Sequence, residues 1–333
     1  MLIPAGHARP TTVDQLLDTR LLARLERLDL ASRKIFAGKL QGERRSKRRG
    51  QSVEFDDYRT YTPGDDLRFI DWNVYARFER LFIKLFLEEE DLALHVAVDA
   101  SASMETGAPN KLLFAAKLAA ALGYVGLVRN NRVGMTVFGT PVTEDSHSGG
   151  SAGLKRLPDC RGRNKITRAA TFLLESIWPD SRTIGSGAGD QAGQFDEALT
   201  RIAKMRVGKG VFVLISDFLV PQGYERGLRS LAAAGGYDTF AVQVLSPGEL
   251  DPSIESDRGL SGDVRLSDVE SGRTAEVTIT PALLRTYRDR LHQYIDDLHT
   301  FCAARGMTHV LAPSDTDHDA LVFDTLRRTG MLG

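Results

Sequence analysis

The residues best suited to chemistry stand in the run His95-Val96-Ala97-Val98-Asp99-Ala100-Ser101-Ala102-Ser103. One carboxylate and two hydroxyls follow an apolar stretch at alternate positions, and a tight loop there can turn all three toward one point. Such a set offers oxygen only, which suits a hard cation: Mg²⁺ takes an octahedron of oxygens and keeps several waters. Asp217 closes a second apolar run, from Gly210 to Ser216, and brings another carboxylate. These donors suit Mg²⁺ and Mn²⁺ alike. A structural alternative is that Asp99 caps a loop and helix while its serines bond backbone amides. A chemical alternative is Mg²⁺-dependent phosphoester hydrolysis, with Asp99 as nucleophile or ligand beside Asp217. Phosphatases with an aspartyl nucleophile place a second Asp two residues later as the acid. That position is Ser101 here, and a hydroxyl is a poor acid.

The elements that must position these residues follow from periodicity. Leu16, Leu17, Leu21, Leu25, Leu28 and Ile35 predict an amphipathic helix over 12–37. Residues 81–88 and 92–98 predict two strands separated by Glu88-Glu89-Glu90-Asp91. Beyond Asp99 the pattern alternates. Helices are predicted over 110–129, 165–177, 195–205, 224–234 and 281–305, with strands over 133–138, 210–216, 239–245 and 309–311 and a closing helix. A β insertion is expected over 246–280, and the segments up to about Arg163 and over 181–193 are expected as polar, glycine-rich loops. Continuous Val/Ile/Leu strands alternating with helices predict an α/β fold, a mostly parallel doubly wound sheet with ligands at the carboxyl ends of its strands. Asp99 and Asp217 both fall at such ends.

Composition limits the function classes. The 333 residues carry 43 basic against 44 acidic side chains, so a globally basic nucleic-acid binder is not indicated. Cys160 and Cys302 lie far apart, with neither disulfide nor zinc spacing, and the first ten residues have no apolar leader; a cytoplasmic location is expected. The apolar stretch Leu112 to Val128 falls short of the ~20 residues of a membrane helix and predicts a buried helix, with no membrane span. Gly208-Lys209-Gly210 lacks the order of a phosphate loop, and Gly185 to Gly189 follows no strand as a dinucleotide loop would. No serine-hydrolase elbow or H-E-x-x-H zinc pair is present.

A second constellation lies upstream: Arg48-Arg49-Gly50-Gln51-Ser52-Val53-Glu54-Phe55-Asp56-Asp57-Tyr58-Arg59, then Tyr61-Thr62-Pro63-Gly64-Asp65-Asp66-Leu67-Arg68-Phe69-Ile70-Asp71-Trp72. It continues through Ala76-Arg77 and Leu81-Phe82-Ile83-Lys84 to Glu88-Glu89. The interleaved Arg59, Arg68, Arg77 and Arg80 with Asp56, Asp57, Asp65, Asp66 and Asp71 predict ordered loops braced by ion pairs, with Trp72 and Phe55 pinning them to a core. A docking surface is the alternative. The basic run Arg44, Arg45, Lys47, Arg48, Arg49 has no aromatic residues within it for base stacking and predicts a solvated or partner-facing strip.

These residues resemble two known patterns. The stretch from about Gly42 to Ser103 is similar to the signature of the bacterial domain of unknown function 58 family. Asp99, Ser101, Ser103 and Asp217 resemble the metal-ion-dependent adhesion site of von Willebrand factor type A domains, in which the open metal position accepts a partner's carboxylate. The resemblance implies a type A domain over 90–333 with an insertion near 246–280, and an N-terminal helix plus signature region over 1–89. It implies a non-enzymatic protein–protein interaction module holding Mg²⁺ or Mn²⁺, working as adaptor to a MoxR-type AAA+ ATPase in the maturation or remodelling of a client protein. Many relatives carry transmembrane helices ahead of the signature. Where the adhesion site uses a loop threonine, this chain has Gln194; Gln194 could lend an amide oxygen, Thr183 could substitute, or the site could be poor in metal.

Overall fold

The computed structural model describes residues 9–31, 54–87, 92–140, 153–178, 194–206, 208–256, 262–268 and 274–332. Two compact units emerge, residues 35–91 and residues 1–34 together with 92–333. The sequence grouped residues 1–89 as one region, whereas the structure assigns the first helices to the sheet unit. The cause is burial: Leu16, Leu17, Leu25 and Leu28 join the apolar cluster on one face of the sheet. In its described part the helix expected over 12–37 is broken into α1 (Val13–Leu16) and α2 (Thr19–Leu25), because the Asp18 carboxylate accepts the amide of Arg20 and starts a new helix, and residues 32–37, with Ile35, lie outside the described residues. Leu30 then forms an antiparallel bridge with Leu332.

In the unit of residues 35–91, β1 (Glu54–Thr60) pairs antiparallel with β2 (Phe82–Leu87), and α3 (Trp72–Phe78) lies between them in sequence. The sequence expected loops where β1 and α3 form. Asp71 explains α3: its carboxylate accepts the amides of Asn73 and Val74, the hydroxyl of Tyr58 at 2.9 Å and the ammonium of Lys84 at 3.0 Å. Those donors hold its pKa down at about 2, with Lys84 the largest influence. Arg59 pairs with Asp65 at 2.8 Å and Arg68 with Asp66, so part of the expected brace is present. Trp72 is not pinned to a core. It is 63% exposed, edge-on to Tyr75. The side chains of Phe55, Asp56 and Asp57 and the run 44–49 lie outside the described residues.

The sheet unit contains β3 (Ala93–Asp99), α4 (Lys111–Val128), β4 (Arg132–Phe138), β5 (Lys155–Cys160), α5 (Ile166–Ile177), α6 (Gln194–Met205), β6 (Gly210–Ser216), α7 (Glu225–Ala233) and β7 (Tyr237–Leu245). It continues through the short α8 (Pro247–Leu250) and α9 (Ser253–Ser256), the hairpin β8 (Gly262–Ser267) and β9 (Thr274–Ile279), α10 (Pro281–Ala303), β10 (Thr308–Pro313) and α11 (His318–Ala320). The central sheet has six strands in the order β10-β7-β6-β3-β4-β5, parallel except for the antiparallel edge strand β5. A loop was expected over β5. Its charges and Pro158 weaken the strand signal, and an edge position is where proline is tolerated. The hairpin fills the expected β insertion.

Alternation along the central strands fills two cores. Leu94, Val96 and Val98 of β3, with Val211, Val213 and Ile215 of β6, face α4 and α5; Ala93, Ala97, Phe212 and Leu214 face α6, α7 and α10. The sheet is therefore covered on both faces, as the apolar strands predict. The helix α4 is buried on all sides. Its Gly126 lets β4 approach so closely that a Cβ there would meet Val133 Cγ2 at 2.6 Å. This is the helix expected over 110–129; the sequence put it short of a membrane span, whereas by length and composition alone it could cross one, and 83% of it is buried inside the protein.

Candidate functional site

The strand order places Asp99 and Asp217 at one location. From β3 the chain moves outward through β4 and β5, then returns to the other side of β3 with β6 and continues to β7 and β10. The winding direction thus reverses between β3 and β6, and the carboxyl ends of two such strands leave a crevice. Val98 is in register with Ile215, so Asp99 and Ser216-Asp217 leave the sheet side by side. Both carboxylates are buried, at 4% and 2% exposure.

The loop after β3 is bonded from within. Asp99 Oδ1 accepts the amide of Ser101 at 2.9 Å, and Oδ2 accepts the hydroxyl of Ser216 at 2.7 Å. The Ser101 and Ser103 hydroxyl oxygens stand 3.1 Å apart. Thr106 donates its hydroxyl to the Ser103 carbonyl at 2.6 Å, and Asn110 donates to the Glu105 carbonyl at 2.6 Å while capping α4 through Leu113 N. Gly139, after β4, crosses behind this loop with φ +78°. A Cβ there would lie 2.9 Å from Asp99 Oδ1 and 3.0 Å from Ser101 N.

Asp99 sits in an environment that resists its negative charge. Burial, and then the neighbouring Asp217, raise its pKa to about 7 against the opposing pull of its hydrogen bonds to Ser216 and Ser101. Of the structural alternative the loop cap is present, Asp99 accepting the Ser101 amide, while Asn110 caps the following helix and the Ser101 and Ser103 hydroxyls bond each other. Among the described residues no group of three or more His, Cys, Asp or Glu side chains is placed to hold a metal. The donors at this crevice are instead the Asp99 carboxylate and two serine hydroxyls, with Asp217 beside them, a set that fits a hard cation retaining water.

Asp217 has partners of its own. Its Oδ2 accepts the ammonium of Lys111 at 2.9 Å and its Oδ1 the amide of Leu219 at 3.1 Å. The following residue, Phe218, is wholly buried at φ +58°, a conformation unfavourable for a bulky side chain. That turn is held by Tyr294, whose hydroxyl donates to the Phe218 carbonyl at 2.5 Å, and by Gln243, which donates to the Asp217 carbonyl at 3.1 Å. Lys111 also donates to Glu249 at 2.5 Å. Burial lowers the lysine pKa, but the carboxylates of Asp217 and Glu249 outweigh it and leave the pKa above the ordinary value. Lys111, Ser216 and Glu249 are site residues that sequence reasoning missed. Of the candidates for a further oxygen, Gln194 opens α6 and Thr183 lies outside the described residues.

Residues 57–294 match the family model described as protein of unknown function DUF58, and the match takes in the signature segment from Asp57 onward and both Asp99 and Asp217. The uncharacterized protein Rv1480 of Mycobacterium tuberculosis is 30% identical over 322 residues, covering 95% of this chain and 92% of that one. This chain belongs to the DUF58 family. A shorter uncharacterized protein of Mycobacterium avium, MAV169, is 32% identical over 182 residues, 54% of this chain and 98% of its own length. Among solved structures, the conserved hypothetical protein BatB from Bacteroides thetaiotaomicron overlays 72% of this chain and 98% of its own at 17% identity and a TM-score of 0.39. An aerotolerance-related membrane protein from Bacteroides fragilis overlays 71% and 99% at 17% identity and a TM-score of 0.36.

Proposed function

We propose that this DUF58 protein is a non-enzymatic, cation-dependent protein–protein interaction module built on a von Willebrand factor type A-like domain. The observation that carries the proposal is the pairing of Asp99 and Asp217 at the sheet's switch point, with the Ser101 and Ser103 hydroxyls 3.1 Å apart beside them. Asp99, Ser101 and Ser103 would hold Mg²⁺ or Mn²⁺, and Asp217 would orient a bound water or the ion. When bound, the ion would supply positive charge with an open position for an Asp or Glu carboxylate of another protein. The raised pKa of Asp99 supports this assignment, since a buried carboxylate pushed toward neutrality is one that a cation would relieve.

The residues themselves fix the loop. Ser216 and the Ser101 amide orient the Asp99 carboxylate, Gly139 lets the backbone pass close behind it, and Thr106 and Asn110 tie the serine turn to α4. The leaving-group acid that a phosphatase with an aspartyl nucleophile carries two residues after that nucleophile is here Ser101, a poor acid. In this proposal the partner is a MoxR-type AAA+ ATPase and the chain, in the cytoplasm, is its adaptor toward a client protein.

The test is a pull-down from native extract with wild-type and Asp99→Ala bait, each in Mg²⁺ and in EDTA. Recovery of an AAA+ ATPase by wild-type bait in Mg²⁺ alone is the expected result. Equal recovery by a folded Asp99→Ala protein would refute the proposal.

A further inference from the structure

Lys111 is wholly buried, and it sits beside the proposed cation site. Lysine is almost never fully buried unless paired. Here it is paired twice, to Asp217 at the end of β6 at 2.9 Å and to Glu249 in the short helix after β7 at 2.5 Å. Neither contact can swing away freely. The second oxygen of Glu249 accepts the Ser246 amide at 2.7 Å and the Ser246 hydroxyl at 2.9 Å, and the second oxygen of Asp217 accepts the Leu219 amide. The ammonium is therefore fixed beside one of the two aspartates, while among the described residues the donors to Asp99 are neutral, from Ser101 and the Ser216 hydroxyl.

We propose that Lys111 is a resident counter-cation of the site, which neutralises Asp217 and so holds the divalent-ion affinity of the Asp99 loop below what its oxygens alone would give. This rests on the cation-dependent function proposed above and specifies how that site is tuned. A dication arriving at Asp99 meets a fixed positive charge across Asp217, and repulsion between charges in a partly buried site is screened far less than in water. Removing the ammonium frees the Asp217 charge to act on the ion. A lysine that served only to staple β6 to the turn after β7 would affect folding and leave ion affinity unchanged or lower.

The experiment is calorimetric titration of the full chain with Mn²⁺ for wild type, Asp99→Ala, Lys111→Met and Glu249→Gln. The double variant Lys111→Met/Glu249→Gln is included because it removes the carboxylate that Lys111→Met alone would strand. Both proteins lacking the lysine are expected to bind Mn²⁺ about tenfold more tightly than wild type, the lower end of what one nearby unit charge does to a dication. Glu249→Gln, which leaves the whole ammonium charge on Asp217, is expected to bind more weakly. Unchanged or weaker binding without the lysine, alongside Asp99-dependent binding by wild type, would overturn this inference and leave the cation site standing. No binding by any of the proteins would overturn both. Binding only when the lysine is absent would support Lys111 as counter-cation while refuting an ion in the wild-type protein.

Discussion

Replacing Asp99 with asparagine isolates the electrostatic cost on which the proposed cation site depends. In the ion-free protein the pKa of Asp99 is raised from 3.8 to about 7. A carboxylate raised in this way makes its full contribution to stability below the unfolded value, near pH 4, and loses it as pH climbs through 7, because the folded state must give up a proton it prefers to keep. The complete loss is about 4 kcal/mol, of which about 2 kcal/mol falls between pH 5.5 and pH 8. Asparagine has nearly the same shape, keeps an oxygen for the Ser101 amide and carries no charge. Thermal melts in EDTA at the two pH values compare the proteins directly, and titrating groups that do not interact with Asp99 cancel in the difference. Wild type is expected to lose roughly 4 °C more than Asp99→Asn on going to pH 8. Added Mn²⁺ should restore wild type at pH 8 and leave Asp99→Asn unchanged. Identical pH profiles for the two proteins would refute the claim that Asp99 is a strained buried carboxylate, and with it the reason for an ion to bind there.

Other outcomes follow from single contacts. Gly139→Ala places a methyl 2.9 Å from Asp99 Oδ1 at a φ of +78° and should cost about 1–3 kcal/mol in melts while weakening Mn²⁺ uptake. Ser103→Ala removes one hydroxyl without touching the core and should weaken Mn²⁺ binding in titrations with little change in melting temperature; equal affinity would remove Ser103 from the donor set. Asp71→Ala strips the cap from α3 together with the Tyr58 and Lys84 contacts, so hydrogen exchange over Trp72–Phe78 should accelerate while α4 stays protected.

The parts of this structure that sequence made legible are those in which a local pattern and the tertiary environment agree. The β3 and β6 runs are buried at every position, apolar but for His95 before their last residues, and end on Asp99 and Ser216-Asp217, so both the parallel sheet and the carboxylates at its edge follow from the apolar runs. Lys111 did not follow. A lysine at the start of a helix ordinarily reads as a solvated end, and its partners lie 106 and 138 residues away. The signal was available in the helix itself, where Lys111 precedes a run that is apolar but for Lys117 and Tyr124 and has little water to reach. In the signature segment charges obscured β1, and α3 depends on Asp71 as its cap, a role that the count of Asp and Arg residues could not separate from a simple ion pair. Trp72 was misplaced for a similar reason. An aromatic residue in a charged segment suggests an anchor, but helix position, not residue type, decides which way it faces.

The central claim is that Asp99, Ser101 and Ser103 hold a divalent cation at the switch point between β3 and β6. Its most direct test is Mn²⁺ titration of the purified full chain, wild type against Asp99→Ala, at a pH above 7 where Asp99 is ionised. One equivalent bound by wild type and none by Asp99→Ala is the predicted result. Equal uptake by two folded proteins, or none by either, would contradict it.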